Sequence, residues 1–557
     1  MLELCVFIVL LLVTVPVLGR YMAAVFKDSS ALHIPLLSFL EKSIYRFCGI
    51  KNEEMGWKEY AKALLCFNGC GFVFLFLLQL FQRWLPCNPQ GFSGVAPALA
   101  FNTAASFVTN TNWQAYGGET TLSYLTQMMG LTTQNFVSAA TGNAVLLALI
   151  RGIKGKTVGA IGNFWGDLTR SVVYLLLPLC TVFALVLVSQ GVIQNLHPYV
   201  EAITLEETRQ IIAMGPAASQ IAIKQLGTNG GGFFAANSAH PFENPTLLSN
   251  FLQSFAILCI PASAVYMYGC FIGCKKQGWI LFSVMLILWI SGLAVALLSE
   301  SLPNSSLGIN PVWEGKETRF GSANSILWAV NTTAASNGSV NGMLSSLSPL
   351  AGGVSLLNIM TGELIFGGIG VGFCSMLMMV FLTVFLAGLM VGRTPEYLGK
   401  KIGKVEMQWV MLALLSPGAL ILLGTTVSLL WPNALISLGN RGPHGFSEVL
   451  YAFASAAGNN GSAFAGLNSN THFYNIVLGI VMLLARIAIV IPSLAIAGSL
   501  ARKNSIPFSE GNFSADTLLF GGLLLGIILI VAALTFFPAL ALGPIVEHIL
   551  MLRGQTF

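Results

Sequence analysis

Apolar windows of about 20 residues recur along the whole chain, and this feature limits the possible folds more than any other. They lie near 2–19, 62–85, 128–150, 171–191, 247–273, 279–299, 365–391, 409–431, 475–500 and 517–540. A helix of that length crosses the hydrocarbon core of a bilayer. Charged residues make up only 9% of the chain, against about 25% in soluble proteins. The sequence therefore predicts an all-α polytopic membrane protein with about ten transmembrane helices.

The distribution of basic residues predicts the orientation, since Lys and Arg favour the cytoplasmic side of short loops. They cluster after the odd-numbered windows, at 20–58, 151–156, 275–276, 393–404 and 502–503, whereas the loop 85–127 contains none. We therefore expect both termini outside, and we assign the net charge of +5 to topology, with no nucleic-acid partner. The first window lacks a basic start and a small-residue cleavage box, so we expect a retained span.

Four of the outside loops contain a similar polar string. In register they read VTNTNW (108–113), TNGGGF (228–233), SNGSVN (336–341) and NNGSAF (459–464). Their central residues are Asn110, Gly230, Gly338 and Gly461. These centres recur at about 110 to 120 residues, which holds one span, one loop and another span, so the chain is predicted to repeat a single unit.

A short helix-like segment precedes each string, at 98–108, 209–226, 324–336 and 448–458. None is long enough or apolar enough to cross a bilayer, so each is predicted to be a short re-entrant helix. Irregular backbone persists at membrane depth only where it is buried in protein or lines a watery path. Four such loops therefore suggest one shared pore.

Three consecutive glycines, Gly230 to Gly232, suit such a pore. Glycine reaches backbone angles that other residues avoid, and a ring of carbonyl groups can then replace the water around a cation, as in potassium-selective filters. Oxygen-only ligands suit a hard monovalent cation. A single string of this kind is usually a flexible loop or a turn, but four copies in register favour a filter.

Longer strings carry a family resemblance: TNTNWQ (109–114), LGTNGGGFF (226–234), NSAHPFENP (237–245), NTTAASNGSVN (331–341), GRTPEYLGKKI (392–402) and GNNGSAFAGL (458–467). Over nearly its whole length the chain resembles the potassium-binding A subunits of Kdp potassium-uptake ATPases, within the superfamily of potassium transporters. The resemblance implies four span, pore loop, span repeats around a pseudo-fourfold axis, with one extra helix at each end. The implied segments are 1–61 (first helix and cytoplasmic segment), 62–156, 157–275, 276–404 and 405–503 (pore repeats), and 504–557 (last helix).

The resemblance also implies the site residues. The expected selectivity filter, with K⁺ as the transported ligand and no other metal or cofactor, consists of Thr109, Asn110, Thr111, Asn229, Gly230, Gly231, Asn337, Gly338, Ser339, Asn460, Gly461 and Ser462. Asn112 and Gln114 are expected in the vestibule just beyond it, where Gln114 influences ion affinity.

Two charges fall within apolar segments. Arg486 lies in the 475–500 window, where a lone cation costs at least about 2.5 kcal/mol and is expected to meet a carboxylate or carbonyl groups. Glu363 is the matching acid, and the glycines around it predict a broken helix that occludes the path under the filter. The resemblance places Arg486 below the filter, as a barrier to straight passage of K⁺. A helix-joining ion pair and a close-packed glycine face are the alternatives.

The chain contains no nucleotide or phosphorylation motif. Its GKT at 155–157 lacks the first glycine of a phosphate-binding loop, and the Asp-Lys-Thr-Gly string of P-type ATPases is absent. The chain is therefore predicted not to be an enzyme by itself. The resemblance implies a P-type ATPase B subunit that hydrolyses ATP, with C and F subunits, in the bacterial inner membrane. It also implies an intramembrane tunnel that delivers K⁺ to the B subunit.

Two other classes compete with this interpretation. A self-sufficient potassium channel or symporter of the Trk, Ktr or HKT type has the same repeats, but the strings AHPFENP and GRTPEYLGKKI favour Kdp. A membrane-embedded acyltransferase or protease would need a nucleophile cluster within the spans. His240, His444 and His472 fall instead in predicted outside loops, and no motif joins them to a nucleophile.

Overall fold

The computed structural model describes residues 2–27, 34–51, 53–155, 159–301, 313–504 and 514–555. Lys156 and the predicted segment boundary at 156–157 lie outside these ranges. The helices are α1 (Leu2–Lys27), α2 (Pro35–Cys48), α3 (Trp57–Phe81), α4 (Pro97–Val108), α5 (Gly118–Thr121), α6 (Thr133–Lys154), α7 (Phe164–Arg170), α8 (Leu177–Ser189), α9 (Ala217–Leu226), α10 (Leu247–Ile272), α11 (Lys275–Ser301), α12 (Ser322–Ala334), α13 (Pro349–Met360), α14 (Val371–Met390), α15 (Lys404–Leu430), α16 (Pro432–Leu435), α17 (Gly442–Ala457), α18 (His472–Ala501), α19 (Leu518–Leu540) and α20 (Val546–Leu552).

The described residues also form two antiparallel hairpins, β1 (Val200–Ile203) with β2 (Arg209–Ile212) and β3 (Glu396–Tyr397) with β4 (Lys400–Lys401). In the same described ranges, three π-helical segments extend or join helices. Thr126–Thr132 precedes α6, Ser171–Leu176 joins α7 to α8, and Ala541–Ile545 joins α19 to α20.

Ten helical segments of the described chain are long and apolar enough to cross a membrane, and each overlaps a predicted window. Between α1 and α19, the order of a long helix, a short helix, an extended loop and a second long helix occurs four times. The four units are α3, α4 and α6; α7 with α8, α9 and α10; α11, α12 and α13 with α14; and α15, α17 and α18. The predicted ten spans, four repeats and flanking helices are therefore confirmed. The exact segment boundaries stay a prediction.

Within each repeat, the second long helix is more buried than the first. The buried share of the most apolar 18 residues is 83% against 17% in the first repeat, 83% against 39% in the second, 72% against 44% in the third, and 56% against 33% in the fourth. An inner set of helices (α6, α10, α14 and α18) is therefore enclosed by an outer set. Small residues let the inner helices approach closely, because a Cβ on Gly152 of α6 would lie 2.5 Å from Ala497 Cα of α18.

The second span of the third repeat is broken, as the glycines around Glu363 predict. Helix α13 ends at Met360 and α14 begins at Val371. Between them, φ is positive at Glu363, Phe366 and Gly370, and an α-helix cannot contain such angles. The predicted window 365–391 therefore starts six residues too early, because hydropathy alone does not register backbone conformation.

The four predicted short helices are present, with one correction. The segment predicted at 209–226 is helical only in α9, Ala217–Leu226, whereas Arg209–Ile212 forms β2. Gly215 has a φ of +149° and Pro216 is the N-cap of α9. Because Pro216 lacks an N–H group and Gly215 is not helical, the helix cannot extend backwards. The remaining three segments correspond to α4, α12 and α17.

Candidate functional site

Each short helix ends directly before one of the four polar strings, and the same hydrogen bond begins every loop. A backbone N–H of the loop donates to a carbonyl in the last turn of the short helix. The four bonds are each 2.9 Å long and join Thr111 to Ser106, Asn229 to Lys224, Asn337 to Thr332, and Asn460 to Ser455. These bonds define equivalent positions in the four repeats.

The backbone angles give the same register. In every loop, the residues on either side of the donor have positive φ: Asn110 and Asn112, Thr228 and Gly230, Ser336 and Gly338, Asn459 and Gly461. The structure therefore aligns Asn112, and not Asn110, with the three glycines, which corrects the predicted register of the first loop by two residues. The string TNTN offers Asn at both positions, and Asn adopts left-handed backbone more readily than most residues. The sequence alone therefore could not separate the two alignments.

The three glycine positions leave no space for a side chain. Their φ values are +86° at Gly230, +89° at Gly338 and +98° at Gly461. A Cβ on Gly230 would overlap the carbonyl of Asn337, one on Gly338 that of Asn460, and one on Gly461 that of Thr111. Each overlap joins one repeat to the next, from the second to the third, the third to the fourth, and the fourth to the first. Backbone from all four repeats thus meets in one place.

Side-chain hydrogen bonds connect the same loops. The donors and acceptors are Asn110 Nδ2 to the Thr228 carbonyl (3.0 Å), Asn337 Nδ2 to the Lys224 carbonyl (3.0 Å), Asn460 Nδ2 to the Thr332 carbonyl (2.9 Å), and Asn459 Nδ2 to Thr111 Oγ1 (2.9 Å). Every repeat is therefore bonded to both of its neighbours. We refer to residues 109–112, 228–231, 336–339 and 459–462 as the four-loop ring.

Three buried amide oxygens in the ring have no hydrogen-bond donor among the described residues: Oδ1 of Asn112, Asn229 and Asn459. A buried polar atom without a partner is unfavourable, whereas a cation stripped of water would be a partner. The described part of the chain contains no group of three or more His, Cys, Asp or Glu residues that could hold a metal ion. The ring itself offers backbone carbonyl, amide and hydroxyl oxygens, which suit a hard cation as cargo.

The other predicted filter residues lie within the same ring. Two of them are bonded inside their own loops, because the N–H groups of Ser339 and Ser462 donate to Oδ1 of Asn337 and Asn460, at 3.0 Å each. Thr109 Oγ1 lies 2.7 Å from Thr111 Oγ1, and a Cβ on Gly231 would lie 2.9 Å from Asn112 Nδ2. Their roles in ion binding stay predictions.

The two predicted vestibule residues differ in position. Asn112 belongs to the ring, and its Nδ2 donates to Asn135 Oδ1 at 2.8 Å. Gln114 lies beyond the ring and holds Gly232 with two hydrogen bonds. Its Nε2 donates to the Gly232 carbonyl at 3.0 Å, and the Gly232 N–H donates to its Oε1 at 2.9 Å. Gln114 thus connects the first repeat to the backbone that follows Gly230 and Gly231.

The broken span places an intramembrane loop, residues 361–370, against the ring. The backbone N–H of Ile369 donates to Thr228 Oγ1 at 3.0 Å. A Cβ on Gly368 would lie 3.3 Å from Glu363 Oε2 and 3.5 Å from Thr228 Oγ1. Gly370 packs so closely on Gly142 of α6 that a Cβ there would overlap the Gly142 carbonyl. The intramembrane loop therefore contacts both the ring and an inner helix.

Arg486 and Glu363 are both buried, but they form no direct ion pair. Among the residues that the structure describes, no carboxylate lies within 4.0 Å of Arg486. A Cβ on Gly142 would lie 3.2 Å from Arg486 Nη2 and would overlap the Ile369 carbonyl, so the guanidinium lies beside the intramembrane loop. Glu363 Oε1 has no hydrogen-bond partner among the described residues. Of the two expected partners of Arg486, a carboxylate in direct contact is absent among the described residues, whereas the Ile369 carbonyl lies beside the same glycine as the guanidinium. The role of Arg486 stays a prediction.

Sequence reasoning missed a charged cluster behind the ring. Lys224 of α9 and Glu243 are completely buried and lie 2.6 Å apart. Asn237 accepts a hydrogen bond from Lys224 and donates one to the carbonyl of Gly230. A lysine inside the otherwise uncharged AASQIAIKQL was the available signal, together with the string NSAHPFENP.

Comparisons with known proteins agree with this architecture. A family model described as "Potassium-transporting ATPase A subunit" matches residues 5–549. The potassium-transporting ATPase potassium-binding subunit of Leptospira interrogans serogroup Icterohaemorrhagiae serovar copenhageni (strain Fiocruz L1-130) is 54% identical over an alignment of 560 positions, which covers 100% of this chain and 99% of that protein. The subunit of the same name from Mesorhizobium japonicum is 55% identical over 545 residues, which cover 97% of this chain and 96% of that protein.

One solved structure shows the same fold at low sequence identity. The crystal structure of the potassium transporter TrkH from Vibrio parahaemolyticus matches with a TM-score of 0.51 and 16% identity, and the match covers 87% of this chain and 96% of that one. The likeness shows the fold alone and does not identify an activity. The family match over nearly the whole chain does, and the chain belongs to the family of potassium-transporting ATPase A subunits.

Proposed function

We propose that this chain is the potassium-binding subunit of an ATP-driven potassium uptake complex, and that the four-loop ring is its selectivity filter. The observation that carries the proposal is the interlocked backbone of four repeats, in which three glycines leave space only for the neighbouring carbonyl groups. Such a ring presents oxygen atoms at a spacing that the surrounding protein fixes. A cation gives up its hydration shell where carbonyl oxygens replace it.

The filter comprises the residues that the sequence indicates, with Asn112 added beside Thr111. The unpartnered amide oxygens of Asn112, Asn229 and Asn459 support this role, because a desolvated cation would satisfy them. The choice of K⁺ as cargo comes from the family and from its relatives, which are named for potassium.

Below the filter, the intramembrane loop closes the path and Arg486 adds a fixed positive charge. The contact of Ile369 with Thr228 supports the first role. The burial of Arg486 beside that loop supports the second, since a fixed cation in a site of low dielectric constant repels K⁺ strongly. K⁺ then leaves sideways, through an intramembrane tunnel.

The energy comes from a partner. The relatives are named as subunits of an ATPase, and this sequence contains no phosphate-binding or phosphorylation motif. We infer that a P-type B subunit hydrolyses ATP and receives K⁺, and that C and F subunits complete the complex. The distribution of basic residues supports both termini outside, in the bacterial inner membrane.

A self-sufficient Trk-type channel or symporter is the second candidate, favoured by the shared fold. It differs in one measurable respect, since such a channel conducts without ATP. The test is K⁺-stimulated ATP hydrolysis by the purified complex and by the chain alone, with K⁺, Rb⁺ and NH₄⁺, for the parent and for Gly230→Asp. We expect hydrolysis only in the complex, and reduced preference for K⁺ in the variant. ATP-independent K⁺ flux through the chain alone, at the rate of the complex, would exclude the proposal.

A further inference from the structure

One short helix differs from the other three at the position that starts its loop. The equivalent residues are Ser106, Thr332 and Ser455, which carry neutral hydroxyl groups, and Lys224 in the second repeat. The side chain of Lys224 is completely buried. A buried ammonium is strongly unfavourable unless its charge and its hydrogen bonds are matched. The second repeat therefore needs compensating groups that the other repeats do not.

Glu243 and Asn237 provide that compensation. Lys224 Nζ lies 2.6 Å from Glu243 Oε2 and 2.6 Å from Asn237 Oδ1. Glu243 is also completely buried, and its Oε1 accepts the N–H of Phe234 at 2.8 Å. Both oxygens of the carboxylate are thus engaged, so the position of the ammonium is fixed by the surrounding protein.

Asn237 transmits this position to the ring. Its Nδ2 donates to the carbonyl of Gly230 at 2.8 Å. An ammonium can only donate hydrogen bonds, so Lys224 requires the oxygen of the Asn237 amide and leaves the NH₂ group to face Gly230. The N–H of Gly230 in turn donates to the Lys224 carbonyl at 3.2 Å. Lys224 is therefore linked to both backbone polar groups of Gly230. Its own carbonyl accepts the Gly230 N–H, and its ammonium is linked to the Gly230 carbonyl through Asn237.

We propose that the Lys224–Glu243 ion pair, acting through Asn237, positions the Gly230 carbonyl and so sets how strongly the filter distinguishes K⁺ from other monovalent cations. Lys224 acts as a positioning residue and does not contact the ion. The inference rests on the proposed filter function, because the direction and strength of the carbonyl dipoles determine selectivity only where those dipoles coordinate the cation.

Two variants of the full complex test it. Asn237→Ala removes the amide that joins Lys224 to the Gly230 carbonyl and keeps the Lys224–Glu243 ion pair. The double variant Lys224→Met/Glu243→Gln removes the pair without leaving one buried charge unmatched. The matched control is Lys316→Met/Glu300→Gln, because that pair is nearly as buried, at 1% and 3% side-chain exposure and a separation of 2.9 Å, but lies outside the four-loop ring. The half-saturating concentrations of K⁺, Rb⁺ and NH₄⁺ for ATP hydrolysis are measured in each.

We expect the preference for K⁺ over Rb⁺ and NH₄⁺ to fall about tenfold in both test variants, as for loss of a charge-linked hydrogen bond, and to stay parental in the control. If the double variant does not assemble, Asn237→Ala decides. A parental ion preference in Asn237→Ala overturns the inference. If Gly230→Asp loses discrimination while Asn237→Ala keeps it, the filter stands and only the role of Lys224 falls. If both keep it, the filter assignment falls as well.

Discussion

The carbonyl oxygen of Asn337 occupies the space that a side chain on Gly230 would need. This contact joins the second repeat to the third, and the equivalent contacts of Gly338 and Gly461 continue it around the ring. A change at one glycine therefore displaces two loops, and the effect on ion binding exceeds that of a local backbone change.

Gly230→Ala tests this relationship. The left-handed backbone alone costs a non-glycine residue roughly 1–2 kcal/mol, and the overlap with Asn337 adds to that cost, so we expect weaker K⁺ binding and lower ion discrimination. Gly522→Ala in α19 is the control, because no atom lies within 4 Å of a Cβ there. The nearby Gly232 cannot serve as the control, since a Cβ there would lie 2.6 Å from the Phe234 carbonyl and alanine would not fit without a shift. The measurement is ion-dependent ATP hydrolysis by the complex. Equal selectivity in Gly230→Ala and Gly522→Ala would show that the contact with Asn337 does not matter for ion discrimination.

Thr228→Val should loosen the intramembrane loop without changing the shape of the side chain. The N–H of Ile369 loses its acceptor, and a buried donor without a partner costs about 1–3 kcal/mol. Hydrogen exchange of the peptide that contains residues 361–370 should then speed up by about tenfold or more. Thr383→Val is the control, because its hydroxyl bonds only within α14. Unchanged exchange in Thr228→Val would show that the ring does not hold the loop.

Arg486→Gln removes the buried charge beside the intramembrane loop. Because Arg486 is buried beside the loop, its charge contributes to the barrier for K⁺. In the variant we therefore expect a passive K⁺ leak that does not depend on ATP. The leak is measured as K⁺ flux into vesicles that contain the assembled complex. The control is Arg502→Gln, at an exposed position after α18, which should show no passive K⁺ leak. If the Arg486→Gln complex shows no passive K⁺ leak and normal K⁺ uptake, Arg486 has a purely structural role.

The contact between His444 of α17 and Glu547 of α20 should depend on pH. His444 Nδ1 lies 2.8 Å from Glu547 Oε1. Burial disfavours the charged imidazolium, but the hydrogen bond and charge of Glu547, with Glu448 farther away, raise the pKa of His444 above its ordinary value. A raised pKa in the folded protein means that the stabilisation is complete at low pH and is lost as pH rises through that pKa.

Hydrogen exchange of Val546–Leu552 should therefore be slower at about pH 6 than at about pH 8.5, after correction for the intrinsic effect of pH on exchange. His444→Gln should remove most of this difference, since glutamine does not titrate in that range. A difference of the same size in His444→Gln would assign the pH dependence to other groups.

Local patterns in the sequence determined the general architecture. Span length, basic residues and four similar strings are properties of short segments, so the ten helices, the repeats and the break near Glu363 could be predicted without tertiary contacts. The short helices before the strings follow for the same reason, apart from β2, where Gly215 and Pro216 end the helical pattern.

Only the tertiary structure decided which residues meet. Asn110 and Asn112 are chemically identical, and the contacts of the other three repeats select Asn112 as the partner of the glycines. Arg486 and Glu363 have opposite charges, yet they form no ion pair within 4.0 Å among the described residues. Lys224 finds Glu243 because the chain after Gly230 folds back over α9. Each of these relationships concerns segments that are separated in the sequence. The sequence of either segment does not determine the distance between them, because that distance depends on how the helices pack.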